Sequence, residues 1–325
     1  MLSADGQTHG LVMGRFMPPH NGHRYLIEFA RGFADRVTVL VCTLSHEPIP
    51  GALRYQWMRE LFPELNVVHV TEEIPEAGRA NPRAHEIWAA FIRRSVRRRL
   101  QYVFASEAYG AELAAELGAR FIPVDPARSN FPISATAIRE APSEHWRYIP
   151  GPVRPYYQRR VCLLGGSPDT RRELAVRLAA EFSTLAVPDM QSIRHELLSG
   201  AASGHARHTA GGVHTTDELL QSQRAAEAAL ARQAGPVLVC AADALVIALE
   251  QDSEAAAGSA PADLYMALPP DRDAGGSGEP AEHPSRARLI ELLRARGAQI
   301  EVLDSAAPSA AITRLRRFLH EHQRR

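Results

Sequence analysis

Gly14-Arg15-Phe16-Met17-Pro18-Pro19-His20-Asn21-Gly22-His23 stands between a short apolar run, Leu11 to Met13, and a segment in which Leu26, Phe29, Ala30 and Phe33 recur at helical spacing. Strand, glycine-bearing loop and amphipathic helix in that order open a unit of α/β sheet. In open sheets of this kind ligands bind beyond the carboxyl ends of the strands, where amides at a helix start favour an anion. Gly14 and Gly22 let backbone approach such a ligand, and the imidazoles of His20 and His23 can donate to phosphate oxygens. Taken alone, the same two histidines read equally well as surface or core residues.

Four further apolar runs alternate with helical patterns: Val37 to Cys42, Val67 to Val70, Tyr102 to Ala105 and Phe121 to Val124. Such alternation predicts a parallel sheet covered by helices. The proline-rich stretch Tyr148 to Tyr157 resists helix and strand and reads as a boundary. It separates an expected domain over residues 8–150 from a second over 158–325. The second begins with the strand VCLLG and runs through helices near Thr170 to Phe182 and Thr216 to Gln233. It continues with VLVCAAD, LYMAL, a Gly/Pro/Asp-rich loop at Pro269 to Pro284, a helix, IEVL and a final basic helix. Alanine-rich Glu254 to Ala262 reads as loop.

The 325 residues carry 37 basic and 37 acidic side chains, so no global field draws the chain to nucleic acid or membrane, and any phosphate site must be local. There is no lysine, so arginine supplies every fixed positive side chain. Cys42, Cys162 and Cys240 stand singly, without zinc spacing or a disulfide framework. No run approaches a membrane span and MLSADGQTHG lacks signal-peptide features, so a cytoplasmic protein is expected. The run Arg93, Arg94, Arg97, Arg98 and Arg99 wraps a helix and reads as a solvated face, with no nucleic-acid partner.

A second informative segment is Ile133-Ser134-Ala135-Thr136-Ala137-Ile138-Arg139. Hydroxyls in a first helical turn and an arginine one turn later suit distal phosphates, or serve as a capped helix with a surface arginine. The two segments together resemble the HxGH and ISxTxxR signatures of the nucleotidyltransferase superfamily, both intact here. The form GRFMPPHNGH, with SEAYG at Ser106 to Gly110, VDPAR at Val124 to Arg128 and WRYIP at Trp146 to Pro150, resembles the bifunctional bacterial nicotinamide-nucleotide adenylyltransferase and ribosylnicotinamide kinase family. The likeness covers nearly the whole chain and is strongest up to about residue 160.

That resemblance implies a Rossmann-like nucleotidyltransferase domain followed by a P-loop-kinase-like α/β domain. It implies in-line attack of nicotinamide mononucleotide on the α-phosphate of ATP, giving NAD and pyrophosphate. His20, His23 and Arg139 are the expected catalytic residues, with Gly14, Arg15, Phe16, Gly22, Ser134 and Thr136 around ATP. Trp88 is the candidate for stacking on a cationic pyridinium, and reads as readily as a core tryptophan; Arg54 and Trp57 read as structural. Magnesium is expected through ATP phosphates, without protein ligands. A homo-oligomer is left open. Some relatives carry an amino-terminal helix-turn-helix; the sequence given starts almost at its first strand, so DNA binding of that kind is not expected.

A working phosphate loop reads GxxxxGK[ST]. Here Gly165-Gly166-Ser167-Pro168-Asp169-Thr170-Arg171-Arg172 places Thr170, Arg171 and Arg172 at the glycine, lysine and hydroxyl positions. The second domain is therefore expected to be a degenerate kinase, with Asp243 where a magnesium-associated aspartate would fall. Two other readings stand beside the leading one: adenylyl or cytidylyl transfer to another phosphate acceptor, such as phosphopantetheine or a sugar phosphate, and a non-catalytic nucleotide-sensing regulator.

Overall fold

The structure, a computed structural model, describes residues 6–74, 84–201, 215–270 and 286–322. The chain divides into two compact units, residues 1–153 and 154–325. In the first, β1 (His9–Gly14), α1 (Asn21–Phe33), β2 (Arg36–Cys42), α2 (Gly51–Leu61), β3 (Asn66–Val70), α3 (Ala84–Ser95), β4 (Tyr102–Ala105), α4 (Tyr109–Leu117), β5 (Arg120–Pro123) and α5 (Ala135–Glu140) follow in order. All strand pairings are parallel, in the order β3-β2-β1-β4-β5. The chain winds outward from β1 through β2 and β3, then crosses to the other side of β1 for β4 and β5. This reversal opens a crevice above the carboxyl ends of β1 and β4.

Period-two alternation feeds a core on each face of the sheet. Val12, Val39 and Val41 meet Leu26, Ile27 and Ala30 of α1 and Met58 of α2. Leu11, Leu40 and Val103 meet Phe91 and Ile92 of α3 and Leu113 of α4. The buried stripe of α1 is Leu26, Ile27 and Ala30, whereas Phe29 and Phe33 are 37 % and 46 % exposed. Their rings flank the stripe, with centroids 6.3 and 5.5 Å from that of Phe104. Gly110 is where α4 closes on the sheet: a Cβ there would lie 2.5 Å from Phe121 Cε2 and 2.8 Å from Ala105 Cβ.

The stretch 148–157 is helical rather than irregular. Short 3-10 turns at Trp146–Tyr148 and Gly151–Val153 lead into the single turn α6 (Arg154–Tyr157). Proline's fixed φ suits the first turn of a helix, which explains why these prolines break up the chain without extending it. The second unit continues with β6 (Arg159–Leu164), α7 (Pro168–Glu181), β7 (Ala186–Val187), α8 (Met190–Ala201), α9 (Thr216–Ala231), β8 (Val237–Cys240), α10 (Ala244–Glu250), β9 (Leu264–Ala267), α11 (Arg286–Ala295), β10 (Ile300–Val302) and α12 (Pro308–His322). Its sheet, β10-β9-β6-β8-β7, is also parallel throughout. Glu254–Gly258, expected as loop, forms a 3-10 turn. Most of the expected loop at Pro269 to Pro284 lies outside the described residues. No helix among the described residues is long and apolar enough to cross a membrane.

Two glycines in helices of the first unit separate packing from propensity. Gly110→Ala forces a methyl against Ala105 and Phe121 and is expected to destabilise by about 1–3 kcal/mol. Gly32→Ala, in open space on α1, is expected to stabilise by up to about 1 kcal/mol. Urea midpoints with unchanged slope check both.

Candidate active site

A cavity of about 600 Å³ fills the crevice of the first unit. All ten residues expected from the sequence line it: Gly14, Arg15, Phe16, His20, Gly22, His23, Trp88, Ser134, Thr136 and Arg139. Its centrepiece is the start of α1. His20 is the N-cap, and its Nδ1 accepts the His23 amide at 3.4 Å while His23 Nδ1 accepts the His20 amide at 3.3 Å. The two rings stack with centroids 3.6 Å apart. Gly22 makes room for this: a Cβ there would sit 3.0 Å from His20 Cε1 and 3.1 Å from Nδ1.

Burial, with the Arg128 guanidinium adding to it, pushes His20 down to about 4. His23 is pushed well below the usual imidazole range by burial, then by His20 and Arg128. Both rings are therefore neutral at pH 7. Since each Nδ1 accepts an amide hydrogen, the ring proton resides on Nε2. The site thus presents two uncharged N–H donors with fixed orientation.

The loops around this pair are pinned by Arg54, which is fully buried in α2. Its guanidinium donates to the carbonyls of Ile49 at 3.0 Å, Cys42 at 3.2 Å and Arg15, and pairs with Glu47. Glu47 also reaches Arg15 Nε at 3.4 Å, so the loops after β1 and β2 hang on one ion cluster. Phe16 sits in this loop at φ 48°, with its ring buried in the core and edge-on to His23 at 5.0 Å. On the opposite wall Ser134 caps α5, its hydroxyl accepting the Ala137 amide at 3.1 Å. Arg139 donates to the Met17 carbonyl and, at 3.1 Å, to the Thr136 hydroxyl, which ties the second motif to the first. Trp88 lines the cavity and packs edge-on against Phe91 in the α3 core.

Arg128 and Tyr109, which the sequence offers within VDPAR and SEAYG without a role in the site, also line the cavity. Asp125, at φ 47°, accepts the amides of Ser129 at 2.8 Å and Asn130 at 3.0 Å, and this turn presents Arg128. Arg128 pairs with Glu107 at 3.2 Å. The Tyr109 hydroxyl donates to the Met13 carbonyl at 3.0 Å, holding the end of β1. Asp-Pro followed by Ser-Asn signals a turn, but not the direction in which its arginine points.

In the second unit the glycine loop survives in shape, with Gly165 and Gly166 at φ 73° and 66° and Ser167 capping α7. Arg171 donates to the Gly166 carbonyl at 3.1 Å and pairs with Asp189 at 2.7 Å. Arg172 pairs with Asp169 and Glu196. Asp243 is wholly buried: it caps α10 through the Val246 amide at 2.8 Å and accepts the Tyr265 hydroxyl at 2.7 Å. Among the described residues, no group of three or more His, Cys, Asp or Glu could hold a metal ion.

No protein-family model matches the chain. The first unit carries the HxGH and ISxTxxR segments around one cavity of a parallel sheet, and curated proteins are similar to it in sequence. The trifunctional NAD biosynthesis/regulator protein NadR of Escherichia coli K12 is 29 % identical over 197 residues, 55 % of this chain and 47 % of that protein. The protein of the same description from Salmonella typhimurium LT2 is 28 % identical over 192 residues, 54 % of this chain and 47 % of its own length. A probable nicotinate-nucleotide adenylyltransferase of Sulfurimonas denitrificans is 34 % identical over 71 residues, 20 % of this chain and 39 % of its own. The chain thus spans about half the length of the NadR relatives it matches. A solved NadR structure in complex with NAD and AMP-PNP covers 97 % of both chains with a TM-score of 0.71 at 20 % identity. Another, in complex with NR, covers 92 % of this chain and 89 % of its own with a TM-score of 0.66 at 21 % identity. The chain is NadR-like in sequence and, over nearly its whole length, in fold.

The site makes two tests available. A histidine kept neutral in the fold but free to protonate when unfolded leaves stability untouched above pH 6.5. It draws the equilibrium towards the unfolded chain as pH falls. For His20 the window runs from 6.5 down to about 4, a loss on the order of 3 kcal/mol. Carbon-13 labelled histidine signals should show one ring titrating near pH 4. Arg54→Met strands Glu47 and is expected to lower stability by about 3–5 kcal/mol, with partial recovery in Arg54→Met/Glu47→Gln, read from thermal unfolding.

Proposed function

We propose that the first unit is a nicotinamide mononucleotide adenylyltransferase. One observation carries the reading: two separate sequence motifs converge on one cavity that offers neutral Nε2–H donors beside Arg128 and Arg139. A phosphate oxygen of the mononucleotide attacks the α-phosphorus of ATP in line, the bond to the β-phosphate oxygen breaks, and pyrophosphate leaves. Such a transfer asks the protein for positioning and for stabilisation of negative charge rather than for a covalent intermediate. His20 and His23 donate to oxygens at the reacting phosphorus. Arg15, Arg139, Ser134 and Thr136 hold the distal phosphates, Gly14 and Gly22 let backbone approach, and Trp88 offers an aromatic face to the pyridinium.

Of the carboxylates on the wall, Asp125 accepts two backbone amides and Glu107 pairs with Arg128. Magnesium would be held here by the phosphate oxygens of ATP rather than by these side chains, and would supply charge neutralisation. The second unit is read as inactive in ribosylnicotinamide phosphorylation. Its two loop arginines are engaged by Asp189, Asp169 and Glu196, and Asp243 is locked into the core.

The test is NAD formation from ATP, magnesium and nicotinamide mononucleotide, with nicotinate mononucleotide in parallel. His23→Ala is expected to lower kcat by roughly 100- to 1000-fold, the loss typical of one preorganised donor. Arg171→Ala should leave the rate unchanged. A folded chain that binds ATP but makes no dinucleotide from either acceptor defeats the assignment, and turnover of phosphopantetheine or a sugar phosphate would replace it.

A further inference from the structure

The cavity at the far end of the first sheet is as large as the active-site cavity and is built differently. It measures about 700 Å³ and opens at the amino-terminal ends of β1, β2 and β3. A parallel sheet buried on both faces ordinarily presents continuous apolar residues. On the face covered by α3 and α4, Leu11, Leu40 and Val68 obey this. The amino-terminal edge of that face does not: Thr38 and Asn66 are in register there, and His9, paired with Arg36, lies diagonal to Thr38. His9 and Thr38 are buried, and the Thr38 hydroxyl meets His9 Nε2 at 2.9 Å and Asn66 Nδ2 at 3.0 Å. This polar group lines the hollow.

The rim supplies charge. Arg31, Arg36, Arg97 and Arg98 line the same hollow, against two carboxylates. Glu64 is taken up by Arg31 at 2.8 Å, and Asp35 accepts the amide and hydroxyl of Thr8 at 2.8 and 2.7 Å. Arg36 meets the neutral Gln7 side chain at 2.5 Å. The arginine run that the sequence suggests is a solvated face therefore divides. Arg93 donates to the Glu116 carbonyl and Arg94 pairs with Glu72 at 2.9 Å; Arg97 and Arg98, just past the end of α3, line the hollow.

We propose that this hollow is a second binding site, for a small phosphorylated metabolite. Arg36, Arg97 and Arg98 hold its phosphate oxygens, and the His9–Thr38–Asn66 group meets its polar remainder. Guanidinium groups suit phosphate through paired N–H donors, and a volume of this order encloses a small molecule. The six residues of β1, roughly 20 Å at about 3.3 Å each, separate the hollow from Gly14, so the two sites bind independently in space.

Inorganic pyrophosphate at constant ionic strength is the probe, by calorimetric titration of the intact chain and by phenylglyoxal modification read by mass spectrometry. Two classes of binding are expected. Arg97→Ala/Arg98→Ala, on exposed side chains, weakens one class at least about tenfold and leaves dinucleotide synthesis unchanged. Arg139→Ala weakens the other. Pyrophosphate should protect Arg36, Arg97 and Arg98 from modification and leave Arg93 and Arg94 reactive. A single class lost in Arg139→Ala and indifferent to the Arg97/Arg98 pair overturns the proposal. Equal protection of all five arginines does so as well, since that is diffuse counterion attraction.

Discussion

Two backbone amides at the start of α1 find their acceptors on imidazole nitrogens, and the active-site cavity is organised around that exchange. A helix start leaves amide hydrogens without intrahelical partners, and a serine or aspartate usually meets one of them. Using two histidines instead caps the helix with rings that also line the cavity. Nδ1 is committed to the backbone, so Nε2 must carry the proton and face outward. The arrangement holds only while both rings are neutral, because a protonated Nδ1 cannot accept. Burial secures neutrality, and Gly22 makes the stacking sterically possible.

A fixed pair of donors is useful only if the rest of the cavity is fixed relative to it. Arg54 does this from below and Arg139 from the side. The first gathers three carbonyls and a carboxylate from the loops after β1 and β2; the second bridges Thr136 and the Met17 carbonyl. Each is a charge whose hydrogen-bonding fork is satisfied by several partners at once, which favours arginine over an ammonium. In a chain without lysine, structural and ligand-facing cations differ by what surrounds the guanidinium.

The five strands and the cavity lining of the first unit were legible because each strand runs four residues or more between turn signals, and because both motifs sit at strand-to-helix junctions. β7 was not legible: two residues, Ala186 and Val187, cannot display a period of two. Arg128 escaped because its direction is set by two residues at positive φ, Asp125 and Arg128 itself, which no pattern of side chains announces. The polar group His9, Thr38 and Asn66 escaped for another reason. Thr38 and Asn66 become neighbours only through the register of β2 with β3, and His9, whose register partner is Arg36, reaches Thr38 across a diagonal.

In the second unit a glycine loop stands between β6 and α7. A phosphate loop works because its backbone amides and one cation are left for the ligand to satisfy. Between Gly165 and Arg172, Pro168 has no amide to offer and Ser167 Oγ takes the one at Thr170. Arg171 turns onto the Gly166 carbonyl and Asp189, so a phosphate would have to displace an ion pair that is itself largely buried. Arg286 closes the other side, donating to the Ala267 carbonyl while its Cδ would lie 3.0 Å from a Cβ on Gly165. The contacts a phosphate would make are made here by the loop's own side chains, which supports the proposal that this unit is inactive as a kinase.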